Sequence, residues 1–153
     1  MTSLSYTGFN FSLGVTAEKD KFSIYVGPKL TLSDSYLVTD GPFGFSSSFF
    51  FFPNGRDRKF SSFINFDYQV NFQKAFCPTG TCSRKTNFTH EYNLGYGFVY
   101  QVKRVGLMNA INIGRYSENF YNQLTQQRFK NSGYNTLIKI GVIVNVQKQD
   151  AGE

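Results

Sequence analysis

Four ionisable residues, Lys29, Asp67, Glu91 and Lys139, lie on the polar side of segments in which apolar and polar residues alternate. A charged side chain that is removed from water must be paired, because an isolated buried ion is very costly. We therefore predict an internal charge network in which Lys29 and Lys139 meet Asp67, with Glu91 as a second acid. Such a network is either a gated ion path or a packed, salt-bridged interior, and a narrow interior favours the second.

The two cysteines, Cys77 and Cys82, lie in a turn-rich segment with a proline and a glycine between them. Their spacing suits a disulfide that closes a short surface loop, which is stable in an oxidising compartment. A zinc site is the alternative, but it needs further ligands, and the chain has no other cysteine and a single histidine, His90. We predict the disulfide, and neither a metal site nor a cofactor.

His90 and its neighbour Glu91 raise the question of a hydrolytic site with Ser117 or Ser132. A nucleophilic triad requires the base within about 3 Å of both the hydroxyl and the orienting acid. Neighbours on a β-strand point to opposite faces, so His90 is expected outward and Glu91 inward. We therefore predict no catalytic residues, and we interpret His90 as an interfacial side chain among aromatics.

Residues 60–72 show which kind of element positions these side chains. One face of this segment is apolar apart from Ser62, and the other is polar apart from Phe63. A strand tilted across a bilayer needs about 9 to 11 residues, apolar outward and polar inward, so we interpret the segment as a transmembrane β-strand. The side chains predicted to face lipid or a partner protein are Phe60, Ile64, Phe66, Tyr68, Val70 and Phe72.

The same alternation predicts seven strands along the chain. They cover residues 9–15, 22–32, 43–51, 60–72, 88–102, 107–116 and 138–146. Pro28 marks a bulge or a weak pairing in the second strand. The connections alternate between short turns and long loops, as in barrels with periplasmic turns and extracellular loops, and the last long loop is predicted at 117–132.

Bacterial single-chain barrels have an even number of strands, so an eighth strand is unaccounted for. We favour a strand N-terminal to Met1 or one supplied by another chain. The less favoured source is the segment 1–8, which would fold back and close the seam. Because the sequence starts without a basic region followed by an apolar stretch, we also expect either a signal peptide that was removed or a different start.

The composition is consistent with one membrane-embedded β-domain over residues 1–153. The chain has 18 Phe, 10 Tyr and no Trp, and only 17% of its residues are charged, against about 25% in a soluble protein. No apolar run is long enough for a transmembrane helix. The net charge of +6 comes from residues at segment ends, where they would meet lipid phosphates, and no basic stripe indicates nucleic-acid binding.

Glycines on the inward face are expected to leave room for bulky inward residues such as Phe63. Segments 22–30, 88–98 and 141–146 alternate and contain such glycines, and they carry a resemblance to a known class. They resemble the small bacterial outer-membrane β-barrel proteins of the OmpA/OmpX-like superfamily, of the Bacteroidota type. The resemblance implies an all-β, antiparallel, up-and-down transmembrane barrel of about eight strands, in contact with outer-membrane lipid and lipopolysaccharide. The polar residues 147–153 depart from the aromatic ending common in such barrels.

The predicted function is that of a non-enzymatic integral barrel, either an anchor or an accessory subunit of a larger outer-membrane complex with another outer-membrane protein. A lipid-modifying outer-membrane enzyme is one alternative. A soluble lipocalin-like carrier of an apolar ligand is the other, and it requires a charged exterior. The polar face here consists mainly of Ser, Asn, Thr, Gly and Gln, which suits an interior better.

Overall fold

The computed structural model describes residues 1–5, 8–33, 43–56, 59–74, 86–122 and 125–144. These residues form antiparallel β-structure and contain no helix, which confirms the all-β prediction. The strands are β1 (Thr2–Ser5), β2 (Gly8–Ser12), β3 (Val15–Lys19), β4 (Phe22–Ser33), β5 (Phe43–Phe51), β6 (Phe60–Lys74), β7 (Thr86–Val102), β8 (Val105–Asn122) and β9 (Gln127–Val144).

The strands form one sheet in the order β2-β1-β9-β8-β7-β6-β5-β4-β3, and β2 also pairs with β4. From β4 to β9 each strand pairs with the next strand along the chain, which is the predicted up-and-down connectivity. The sheet is curled, because Lys139 on β9 contacts Asp67 on β6 although β7 and β8 lie between these strands in the ladder.

The first residues of the chain form a strand that pairs with another strand on each side. Thr2 lies opposite Ile140 of β9 and opposite Phe11 of β2. The less favoured prediction placed an added strand in residues 1–8, and β1 provides such a strand at Thr2–Ser5. A short strand here is stabilised because it pairs backbone groups of β2 and β9 that would otherwise be left as open edges.

The predicted first strand, 9–15, is wrong in its bounds, because it is broken at Leu13–Gly14 into β2 and β3 and continues to Lys19. At the break the backbones of two strands come close together. A Cβ atom on Gly14 would lie 2.7 Å from the Cα of Gly27, so only glycine fits. The register shift lies at Phe9 and Asn10, and Pro28 stays in register with β5. The break between β2 and β3 lies opposite Gly27 and Pro28, which agrees with the weak pairing predicted at Pro28.

The predicted loop at 117–132 is also wrong, because β8 and β9 continue through it as a paired hairpin. Ser117 lies opposite Ser132, and pairing extends to Asn122. The rings of Phe120 and Phe129 stack across this hairpin at 5.5 Å. A ladder that is already aligned at its base extends through polar residues, since β-propensity depends more on cross-strand context than on residue type.

The burial of the two faces is the reverse of that of an ordinary soluble sheet. Among the described residues, thirty large apolar side chains are exposed, whereas seventeen polar or charged side chains and only nine apolar ones are buried. On β6, Asp67 is fully buried while its neighbour Phe66 is 48% exposed. The inner face is therefore polar and the outer face apolar.

An apolar cluster fills the inner face near the turns that follow β3, β5 and β7. Phe63 is fully buried at its centre and meets Phe50 edge-on at 5.1 Å. Gly97 makes room for this ring, because a Cβ atom there would lie 2.4 Å from Cζ of Phe63, as predicted for an inward glycine beside a bulky residue. The cluster consists of Tyr25, Phe50, Phe52, Phe63, Val99, Met108 and Ala110.

Candidate functional site

The structure brings the four ionisable residues of the sequence prediction together on the inner face. Lys29 on β4, Asp67 on β6, Glu91 on β7 and Lys139 on β9 are all at most 1% exposed. Two cations and two carboxylates make the group neutral overall. Such a balanced set satisfies the requirement that buried charges be paired.

Asp67 is the centre of the first half of this network. Its carboxylate forms an ion pair with Lys139 and accepts hydrogen bonds from Ser48 at 3.0 Å and from Gln69 Nε2 at 3.2 Å. Lys139 also donates to the hydroxyl of Ser48 at 2.9 Å. The carboxylate of Asp67 on β6 thus connects the adjacent strand β5 with β9, which lies three strands away along the curled sheet.

Lys29 and Glu91 form the second half. Lys29 Nζ donates to Gln69 Oε1 at 2.6 Å and lies 4.0 Å from a carboxylate oxygen of Glu91. Glu91 accepts a further hydrogen bond from the amide of Asn135 at 2.6 Å. Gln69 therefore links the halves, since it accepts from Lys29 and donates to Asp67.

The partners within the network differ in detail from the predicted contact of both lysines with Asp67. Lys29 lies eight residues after Lys21 and Asp67 eight residues after Lys59, so counting from the preceding turns predicts similar depth for the two. The register sets Lys29 opposite Gly44, and Gly44 opposite Asn71, four positions beyond Asp67. Lys29 contacts Glu91 and Gln69, and Lys139 forms the ion pair with Asp67. Counting residues from the turns fails because the pairing register between strands, and not the distance from a turn, determines how far along the sheet a residue lies.

Sequence reasoning missed Ser48, Gln69 and Asn135 as members of the network. All three lie on inner-face positions of their strands, so alternation alone already marked them as interior. Nothing in the sequence distinguished them from other polar residues there, such as Asn65 and Asn112, whose buried amides have no hydrogen-bond partner in the described part of the chain.

The outward row of β6 agrees with the prediction except at one position. Phe60, Ile64 and Phe66 are 45–55% exposed, and Tyr68 and Phe72 are half-buried because their rings contact aromatic rings on the neighbouring strands. Val70 is only 8% exposed. Its short side chain lies between the larger Phe45 and His90 on the adjacent strands, which cover it.

His90 lies on the outer face next to two hydroxyl groups. Its Nδ1 is 2.9 Å from the hydroxyl of Tyr68, and its cross-strand partner is Ser117, which in turn faces Ser132. The register therefore places Ser117 directly opposite the histidine, which alternation within single strands did not predict. Glu91 is buried on the inner face, so it cannot orient this histidine.

Some predicted features fall outside the part of the chain that the structure describes. Cys77 and Cys82 lie in residues 75–85, so the disulfide stays a prediction. Among the described residues, no group of three or more His, Cys, Asp and Glu side chains is arranged to hold a metal ion. The same residues include no helix long and apolar enough to cross a membrane.

Comparison of the chain with protein-family models, with curated proteins and with solved structures finds no match. The features of the chain that bear on its function are therefore the two faces of the sheet and the internal charge network.

Proposed function

We propose that this chain is a closed, eight-stranded β-barrel that spans a bacterial outer membrane, and that it serves there as a non-enzymatic anchor or as an accessory subunit of a larger complex. The observation that carries the proposal is the reversal of the two faces, apolar outside and charged inside. Large exposed apolar surfaces on a protein mark contacts with membrane or with another protein.

The strand pairings support a closed barrel. β1 pairs with both β9 and β2, and β2 pairs with β4, so among the described residues every strand except β3 has a neighbour on both sides over part of its length. With β2 and β3 counted as two halves of one strand, the number of strands is eight, which is even as in bacterial barrels. Closure also removes open edges, which otherwise template aggregation.

Aromatic side chains at the two ends of the outer face support membrane insertion. Near the short turns, the ring of Phe22 stacks on that of Phe51, and the ring of Phe60 stacks on that of Phe98. At the other end, the ring of Phe72 lies between those of Phe43 and Phe88. Aromatic girdles at both interfaces are typical of outer-membrane barrels.

The filled interior favours an anchor or subunit over a channel or a carrier. The apolar cluster around Phe63 occupies the inner face at one end, and the charge network crosses it further along. A lipocalin-like carrier needs an apolar cavity, whereas most of the buried residues here are polar. The network is best explained as a cross-link between opposite walls of the barrel.

Fractionation of cells that produce the protein at its natural level tests the proposal. We expect the protein to stay with the membranes after washing at high pH and to require detergent for release. We also expect a second outer-membrane protein to co-purify with it in mild detergent. Recovery in the aqueous fraction without detergent would defeat the membrane assignment. A lone monomer in native extracts would exclude the role of accessory subunit and leave that of an anchor.

A lipid-modifying activity is not expected, because within the described part of the chain His90 is bonded to Tyr68 and has no acidic partner. The release of fatty acid from phospholipid vesicles should be the same for the wild type, His90→Ala and Ser117→Ala, and equal to the background of empty detergent micelles. A wild-type rate above that background that both substitutions abolish would favour the enzyme instead.

A further inference from the structure

The outer face of the hairpin formed by β8 and β9 changes in character between Ile113 and Arg115. From the turn at residues 103–104 as far as Ile113, its side chains are exposed and aliphatic apart from Asn109 and Thr136. Beyond Ile113 this face is polar or basic, and it carries the exposed cations Arg115, Arg128 and Lys130. The alternation of side chains along both strands places these cations on the same face as the aliphatic residues. The apolar surface of the hairpin therefore ends in a basic one.

The pairing register shows how the groups of this basic surface are arranged. Arg115 lies opposite Tyr134, Ser117 opposite Ser132, and Asn119 opposite Lys130. Two hydroxyl groups therefore lie in the row between the two cations. Lys130 is four residues from Tyr134 along β9, about 13 Å. We call this surface the basic patch, and it consists of Arg115, Ser117, Asn119, Lys130, Ser132 and Tyr134.

An aromatic ring orients the guanidinium of Arg115. Its Cζ atom lies 5.4 Å from the centre of the Tyr134 ring, and this tyrosine is 79% exposed. A guanidinium that stacks on a ring still presents N–H groups at its edge, where they can bind two phosphate oxygens at once. Arg115 is thus pre-oriented for an anion that approaches from outside the sheet.

The positive charge of the patch is not balanced on its own face. The outer-face positions of β7, β8 and β9 contain no Asp or Glu, and none of the ion pairs in the described part of the chain involves Arg115, Arg128 or Lys130. In the same cross-strand rows, β7 carries the aromatic residues Tyr92 and Phe88. The cations are therefore concentrated on the hairpin, which favours a local site for an anion over a uniform ring of charge.

The position of the patch along the strand corresponds to the surface of a bilayer. Val105 and Ile113 are eight residues apart on β8, about 26 Å along the strand. For a strand tilted by about 35–45°, this length covers most of an apolar band about 25 Å tall. Arg115 is the next residue on the outer face. In the proposed barrel it would therefore lie at the level of the lipid phosphates, at the predicted extracellular end.

We propose that the basic patch binds a phosphorylated glycolipid of the outer leaflet, the lipid part of lipopolysaccharide, through two of its phosphate groups. Arg115 and Lys130 each bind one phosphate, and the acyl chains lie along the aliphatic surface of the hairpin. The uncharged polar side chains between the cations match the hydroxyl groups of a sugar. Two cations about 13 Å apart along the strand suit a lipid with two separated phosphates better than a phospholipid with one. The inference rests on the proposed function and names the lipid class and its site.

Native mass spectrometry of the protein in mild detergent, with purified lipid A as the probe, tests this site. We expect the wild type to bind diphosphorylated lipid A at least about tenfold more tightly than its dephosphorylated form or phosphatidylglycerol, since each charge-assisted contact contributes about that factor. The double variant Arg115→Gln/Lys130→Gln should lose this preference and bind lipid A at least about tenfold more weakly than the wild type.

Lys59→Gln/Arg104→Gln is the matched control, because it removes two exposed cations near the opposite end of the strands. Nζ of Lys59 lies over the ring of Tyr100 at 5.8 Å from its centre, so the control also removes a cation from a tyrosine ring. Its affinity for lipid A should stay within about twofold of the wild type, since charges far from the patch are screened by salt.

Equal binding of lipid A and phosphatidylglycerol by the wild type would overturn the proposal. Unchanged binding by Arg115→Gln/Lys130→Gln, in protein with the electrophoretic mobility of the folded wild type, would also do so. An equal loss in the control variant would show that net charge, and not the patch, attracts the lipid. The measurement uses protein that the extraction experiment has shown to need detergent, so a failure of binding leaves the membrane assignment intact. Recovery of the protein in the aqueous fraction would remove both.

Discussion

Asp67→Asn is expected to lower the free energy of unfolding by about 3–5 kcal/mol, because it leaves the ammonium of Lys139 buried without its carboxylate. Asn keeps the size of the side chain and can still accept a hydrogen bond from Ser48. The decrease in the free energy of unfolding therefore measures the removal of the charge and not the creation of a cavity. Denaturant unfolding in phospholipid vesicles measures the effect. A decrease of less than about 1 kcal/mol would show that the network does not stabilise the fold.

Two further variants make this prediction specific to the buried network. Glu18→Gln removes one partner of the ion pair between Glu18 and Arg56, in which the carboxylate is 35% exposed, and it should cost only about 0–1 kcal/mol. The double variant Asp67→Asn/Lys139→Met removes both charges and should recover most of the lost stability, since a buried pair can be replaced by neutral groups at little cost. If the double variant is as unstable as Asp67→Asn, loss of packing and not an unpaired charge explains the effect.

Ile111→Lys is expected to destabilise the protein by about 2–4 kcal/mol in phospholipid vesicles, the cost of a lysine near the midplane on the lipid face of a barrel. Ile111 is 62% exposed on the outer face of β8, between Tyr96 and Ile138 on the neighbouring strands. In a water-soluble protein the same change at an exposed site would fall within about 0.5 kcal/mol. The size of the loss in stability caused by Ile111→Lys therefore distinguishes a lipid environment from an aqueous one.

Val105→Lys is the matched control, because Val105 lies on the same face of the same strand next to the turn at residues 103–104. Six residues along a strand correspond to about 20 Å. In the proposed membrane-spanning barrel, Val105 would therefore lie near the membrane interface, where a lysine costs about 0–1 kcal/mol. Small effects at both positions would contradict burial in lipid. Large effects at both would indicate that a protein partner, and not the bilayer, covers this side.

Much of the fold followed from alternation within single strands. The two-residue period of side chains is a property of extended backbone geometry, so residues 60–72 alone predicted that Asp67 points inward and Phe66 outward, as both do. The same reasoning marked Lys29, Glu91 and Lys139 as interior. It also predicted a glycine on the inner face beside a large ring, which Gly97 and Phe63 show.

The tertiary structure decided how the strands meet, because pairing register is a relation between segments that local periodicity does not contain. It paired Lys139 with Asp67 and connected Lys29 to Asp67 through the side chain of Gln69. It extended β8 and β9 through a segment whose composition indicated a loop. It also placed Thr2–Ser5 between β2 and β9, since open backbone edges stabilise whichever nearby segment can pair with both.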